Sequence, residues 1–288
     1  MKEGWKMKRQ KRISIVFLLL LVMIVARLYI DNNLIQTTNV EVISDKIPNS
    51  FEGYRIVQLS DLHSRSLGRN NAHLLQAIQE AEPDIVVLTG DMVTGNDKNF
   101  DVFFKLIEEI STDYPIYFIP GNHELALKNT SKQEFLDLFE KTGVVFLDNQ
   151  KIELKADNGD TINLYGLWYP NIHYKKDPLS LDMIEQYIGV SDTSLYNILL
   201  THQPKYFELY EEWGADLTLS GHLHGGMVRL PYFGPVFSPD EGLFPKYAAG
   251  EYHLNESVLV VSRGLGIGTR GFRVFNRPDL VVITLKST

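Results

Sequence analysis

Cysteine is absent from all 288 residues. Disulfide stapling is therefore excluded, as are thiolate metal sites, so any metal ion must be held by His, Asp, Glu or Asn. Positive charge is scarce outside the first twelve residues. There, Lys2, Lys6, Lys8, Arg9, Lys11 and Arg12 stand against Glu3, giving +5 of a formal net charge of −8 and leaving −13 for the remainder. An acidic body argues against nucleic acid as a partner, because such binding rests on Lys and Arg neutralising phosphates. Internal repeats and low-complexity tracts are also lacking. What remains is ordinary globular composition, 44% hydrophobic and 22% charged. That suffices for one sizeable core and is too little for two full domains plus an anchor.

One apolar run stands out. Residues 13–30 are interrupted only by Ser14 and Arg27. A hydrocarbon core takes about 20 such residues, and a terminal Arg can snorkel. Ile24-Val25-Ala26 matches a small-x-small cleavage site only loosely, so an uncleaved anchor is favoured over a signal peptide. The positive-inside rule puts residues 1–12 in the cytoplasm and the body outside the cell membrane. The expected division is a basic tail (1–12), a transmembrane anchor (13–30), a polar stalk with some strand character (31–50) and a catalytic body (51–288).

From residue 51 the pattern is α/β. Residues 55–60 read as a strand running into Asp61-Leu62-His63, and 85–88 as a wholly buried strand leading to Gly90-Asp91. Residues 115–119 form a third, ending in Pro120-Gly121-Asn122-His123-Glu124. Helical spacing of apolar residues fills both intervals. Right-handed crossovers set such strands in parallel, so Asp61, Asp91 and Asn122 emerge at one carboxyl edge, where ligands of open α/β sheets bind. Ser131-Lys132-Gln133-Glu134 suggests a capping box opening a helix. Residues 144–147, 151–154 and 161–167 suggest strands of a second, more antiparallel sheet. Residues 196–200 form a strand delivering His202. The apolar run 215–219 delivers Leu219-Ser220-Gly221-His222-Leu223-His224-Gly225-Gly226. Residues 227–250 show no period and are expected to be a long loop, whose aromatic part, 230–244, faces either lipid or its own sheet. Gly264-Leu265-Gly266-Ile267-Gly268 is followed by no helix pattern and is not a dinucleotide fingerprint.

Singly, Asp61 and Asp91 read as turn residues or helix caps, Asn122 as a turn cap, and His202 as a core histidine. Jointly they read differently. Five of eight histidines (His63, His123, His202, His222 and His224) fall in strand-end clusters. Imidazole with carboxylate suits manganese, iron, zinc or nickel. A two-ion site takes about seven protein ligands with one bridging carboxylate, and His222 and His224 can diverge to serve different ions.

Asp-x-His, Gly-Asp, Gly-Asn-His-Glu, a strand-end His and Gly-His-x-His occur here in the order of the calcineurin-like metallophosphoesterases, which the chain resembles from about residue 54 to 285. The resemblance implies an α/β fold, an αββα four-layer sandwich of two mixed sheets. It implies one metal on Asp61, His63 and His224, and a second on Asn122, His202 and His222. Asp91 would bridge them, and His123 would sit beside the scissile phosphate without binding metal. No ligand position is substituted, which argues against a non-catalytic metal-binding scaffold. Gly225-Gly226 and the anchor resemble a bacterial membrane-associated subgroup, some of whose members cleave lipid-linked pyrophosphates. Met227 stands where that subgroup often has Gln.

The expected function is a membrane-anchored, dinuclear metal-dependent phosphohydrolase of phosphodiester, pyrophosphate or phosphomonoester bonds, with lipid-linked substrates in view. A nucleotide or phosphoprotein phosphatase is the runner-up. A hydroxide bridging the metals would attack phosphorus in line, and His123, oriented by a carboxylate, would protonate the leaving oxygen. Arg65, Arg229 and Arg263 read either as phosphate contacts or as salt-bridge partners. His173 and Tyr174 are candidates for the cleft wall, and His73 and His253 read as structural.

Overall fold

The computed structural model describes residues 2–238, 241–268 and 271–288. It opens with helix α1 (Lys2–Asn33), exposed from Ile13 through Val25 and over Gln10–Asn33 long and apolar enough to cross a membrane. The following segment is strand β1 (Gln36–Ser44), which pairs in parallel along its whole length with Asp279–Ser287. The strand character of the stalk region is thus seen at residues 36–44, docked on the sheet. Their polar residues suggest an exposed linker, yet Val40 and Val42 alternate inward while Thr37, Asn39 and Glu41 face solvent, as on a strand with one wet face.

The first β-α periods follow as expected. They run β2 (Arg55–Leu59), α2 (Ala72–Ala81), β3 (Ile85–Leu88), α3 (Asp101–Ser111) and β4 (Ile116–Phe118). A short α4 (Asn122–Leu125) and α5 (Asn129–Phe139) lead to β5 (Val145–Phe146). The capping box is not used. Lys132 N–H already donates to Lys128 O at 2.7 Å, so Ser131 lies inside the first turn instead of ahead of it.

The second half comprises β6 (Lys151–Lys155), β7 (Thr161–Leu167), α6 (Ile172–Lys175), α7 (Leu181–Ile188), β8 (Asn197–Thr201), α8 (Phe207–Trp213) and β9 (Leu217–Ser220). After it come β10 (Val228–Leu230), β11 (Gly234–Ser238), β12 (Gly242–Leu243), β13 (Gly250–Leu254), β14 (Ser257–Val261) and β15 (Asp279–Ser287).

Two six-stranded sheets result, ordered β1-β15-β2-β3-β4-β5 and β13-β14-β9-β8-β7-β6. Residues 145–146 belong to the first sheet, parallel to β4, and not to the second. The second sheet is parallel through β7, β8, β9 and β14, with antiparallel β6 and β13 at its edges. The helices α7 and α8 between its strands supply the crossovers that parallel pairing requires. Residues 227–250 are not a plain loop, because β10-β11-β12 form a small third sheet.

Period-two alternation builds four layers. Ile56, Ile85 and Val87 meet Ile198, Leu200, Leu217 and Leu219 between the sheets. Val57, Leu59, Val86 and Leu88 turn the other way, onto Leu74 and Ile78 of α2 and Phe103 and Leu106 of α3. Tyr165 and Leu199 face Ile184, Tyr210 and Trp213 on the far side. Fully burying one such side chain stabilises by about 1.5–3 kcal/mol. The αββα sandwich of two mixed sheets is thus observed.

Candidate metal centre

The parallel core strands of both sheets end at one crevice. Asp61, Asp91 and Asn122 follow β2, β3 and β4, while His202 follows β8, and His222 and His224 follow β9. The chain turns sharply at each exit. Asp61, His63, Asp91, His222 and His224 all have positive φ, between 49° and 75°. Asp and His enter that region more readily than most side chains, and clustering of such strain is common at functional sites. Glycine lets the turns close. A Cβ on Gly121 would lie 2.6 Å from Asp91 N, and one on Gly264 would lie 2.6 Å from Asp61 Cβ.

Six of the seven expected ligands are thereby drawn to one place. Asp61, His63 and His224 offer ligand atoms within 4.8 Å of one another, as do Asp91, His202 and His222. Asp91 Oδ2 is central, 3.1 Å from His202 Nε2, 3.9 Å from His63 Nε2 and 4.0 Å from His123 Nε2. Its other oxygen accepts from His123 N–H at 2.7 Å. Asp61 accepts from Ser60 Oγ at 2.7 Å and His222 N–H at 3.1 Å, with Oδ1 3.5 Å from His224 Nε2.

Protonation fits cation binding. Burial lowers the His63 imidazole to about 4 and His222 to about 3, and holds His224 well below the usual range, so their lone pairs are available. His63 Nε2 and His224 Nε2 face each other at 3.1 Å. Two nitrogens about 2.1 Å from one zinc-sized ion stand roughly that far apart. Burial pushes Asp61 up to about 6, with the Asp91 charge adding to it and His202 opposing. Burial works against the charged form of Asp91 too, but His202 beside it holds that carboxyl far below its usual range. His202, despite burial, is raised to about 10 by Asp91. A cation there takes over the role of that proton. His202 Nδ1 donates to Thr89 O at 2.7 Å, which turns Nε2 toward the carboxylates. Asn122 Oδ1 is buried without a hydrogen-bond partner. A buried acceptor left without a donor at the end of β4 is one that a divalent cation would satisfy.

His123 is oriented differently from the expectation. No carboxylate turns it. Its Nδ1 accepts from Gly95 N–H at 3.1 Å, which leaves the ring proton on Nε2, facing Asp91. The carboxylate of that motif, Glu124, has another task. It is buried and accepts N–H from Asp91 (2.9 Å), Val93 (3.0 Å) and Gly121 (2.7 Å), tying two strand-end turns together. Burial pushes Glu124 up, and the N–H donors pull it back. Its place in Gly-Asn-His-Glu was a visible signal, but only the fold assigns the role.

The peripheral candidates divide. Tyr174 lines the centre, its ring 5.3 Å from that of His222, whereas His173 is tied back to Asp177 O. Arg65 donates to Asn32 O, Arg229 to Gly225 O at 2.9 Å, and Arg263 pairs with Asp279 at 2.9 Å, so all three brace the scaffold. His253 pairs with Glu251 on the surface.

Comparison with known proteins agrees with this geometry. The family model described as calcineurin-like phosphoesterase matches residues 54–226. The metallophosphoesterase YkuE of Bacillus subtilis is 29% identical over 266 residues, spanning 90% of this chain and 88% of the relative. Phosphodiesterase YaeI of Escherichia coli is 27% identical over 237 residues, spanning 81% and 82%. A Danio rerio transmembrane protein with a metallophosphoesterase domain is 26% identical over 259 residues, spanning 87% and 57%.

Proposed function

Because the chain belongs to the calcineurin-like phosphoesterase family, and is thereby a hydrolase of phosphoester bonds, we propose that its crevice holds two divalent cations. Asp61, His63 and His224 would take one, Asn122, His202 and His222 the other, and Asp91 would lie between them. The observation that carries this reading is the convergence of two buried three-ligand groups from both sheets. Manganese, iron, zinc and nickel all suit these donors. Bound there, the ions supply Lewis acidity for a water and positive charge for the phosphoryl oxygens.

The chain does the rest. Glu124 and the glycines hold Asp61 and Asp91 in place. His123 points its Nε2–H toward Asp91 Oδ2, where it can donate a hydrogen bond to a phosphoryl or leaving oxygen. The bond is a phosphodiester, a pyrophosphate or a phosphomonoester. Residues 13–30 serve as a single-pass anchor, with residues 1–12 cytoplasmic and the body outside. Pairing of β1 within the first sheet supports counting residues 36–50 with the catalytic body.

The test is metal analysis of the full chain in detergent, with hydrolysis of bis-aryl and mono-aryl phosphates in added manganese and in chelator. Two ions per chain and chelator-sensitive turnover are expected. A protein that binds no metal and cleaves neither ester would end the proposal.

A further inference from the structure

Among the described residues of the body, large exposed apolar side chains gather at the foot of α1. Tyr232 and Phe233 form the tip of the β10–β11 hairpin, where Leu230 pairs with Gly234. Leu243 and Phe244 lie on and just after β12, and Phe275 stands alongside. Elsewhere Ile43, Val145, Ile172 and Val190 are scattered one to an element. Isolated exposed apolar residues need no explanation, whereas a contiguous group marks a surface that meets something.

The group is continuous with α1. The Arg27 guanidinium lies 4.6 Å over the Phe275 ring, and one open cleft is lined by Arg27, Arg229, Leu230, Tyr232 and Phe275. The joint beneath is stiff. Buried Asp31 pairs with Arg27 at 2.6 Å and accepts Phe275 N–H at 2.6 Å. The Asn32 side chain exchanges two 3.0 Å hydrogen bonds with the Arg273 backbone. Arg277 donates to Leu34 O and Ile35 O. With the helix held at so many points, its depth in a bilayer also fixes the depth of the aromatic group.

We propose that residues 230–237 and 242–244, with Phe275, form a membrane-seated rim lodged in the interface of the bilayer that receives α1. This rests on the reading of α1 as a spanning helix. Aromatic side chains favour that interface, and Arg27 is long enough to snorkel to head-group level from the last turns of α1. β10 begins four residues after His224, so the rim holds the crevice beside the leaflet. A phosphoester carried at head-group level then reaches it without leaving the membrane surface.

Because cysteine is absent, single cysteines can be labelled without background. Full-length Phe233→Cys, Phe244→Cys, Leu19→Cys (in α1) and Val190→Cys, each bearing an environment-sensitive fluorophore, are placed in phosphatidylcholine vesicles with brominated acyl chains. Labels at 233, 244 and 19 are expected to be quenched, and the label at 190 to be unaffected. Quenching at 19 while 233 and 244 behave like 190 overturns the rim and leaves the anchor standing. No quenching at 19 removes the anchor, and the rim with it. A blue-shifted label at 233 that ignores bromine assigns the surface to a second copy and also overturns the proposal.

Discussion

Replacing Glu124 tests how the crevice is held open. Its carboxylate is 4% exposed and is the shared acceptor of three backbone N–H groups, from Asp91, Val93 and Gly121. Glu124→Ala leaves three buried donors unpaired. At about 1–3 kcal/mol for each unsatisfied group, and allowing that water enters part of the space, the loss is about 3–6 kcal/mol. That is a large share of the roughly 5–15 kcal/mol typical of a folded protein. Glu124→Gln keeps the volume but turns one acceptor into an NH₂. With its oxygen toward Asp91 and Gly121, only Val93 N–H loses its partner, for about 1–3 kcal/mol. Glu124→Ala should also weaken metal binding by about 10–100-fold, because Asp91 loses the support behind it, whereas Glu124→Gln should bind metal nearly as the parent does. Urea unfolding of the full chain in detergent, paired with manganese titration, reads both effects. An Ala variant that unfolds within about 0.5 kcal/mol of the parent, with unchanged metal affinity, would refute the argument.

Four further outcomes follow from the geometry. His123→Ala should retain both ions by metal analysis while turnover of a bis-aryl phosphate falls about 10²–10³-fold, as for loss of one hydrogen-bond donor to the developing charge. Asn122→Ala should instead leave about one ion per chain, since each ion of a pair depends on its own ligands. Gly121→Ala forces a Cβ to 2.6 Å from Asp91 N, and overpacking of that kind should cost about 1–3 kcal/mol in a melting experiment, with activity lost at temperatures where the fold survives. In chelator, stability should peak near neutral pH. Below about 6.5 the unfolded chain protonates His63, His222 and His224, which the folded chain keeps neutral, while folded Asp61, raised to about 6, takes up only one proton in return. Stability therefore falls on acidification toward about 4. Above about 6.5 the sign reverses, because folded His202 holds its proton up to about 10. A melting temperature that rises steadily from pH 6.5 to 9 would contradict this assignment.

Several expectations stopped short or failed for physical reasons that sequence does not carry. β1 reads as a stalk with some strand character because Gln36, Thr37, Thr38 and Asn39 are polar, and an edge strand with one wet face needs only Val40 and Val42 to dock. The strand at 145–146 went to the wrong sheet, since two residues hold no register information until β4 lies beside them. β10 to β12 carry no hydrophobic period because much of their apolar surface faces outward. The orientation of His123 depends on Gly95, 28 residues away in sequence.

Spacing and residue type alone marked the β-α periods and all seven candidate ligands, and the resemblance of their motifs to a known family implied the αββα class. Strand ends are local events, and right-handed crossovers carry them to a common edge. What only the tertiary structure decided is how those ligands are held. Glu124 clasps two turns, and Thr89, at the end of β3, aims a histidine delivered by β8. The loop that carries Arg273 and Phe275 locks α1 to the crevice. Such contacts join backbone atoms far apart along the chain, and backbone atoms have no sequence signature.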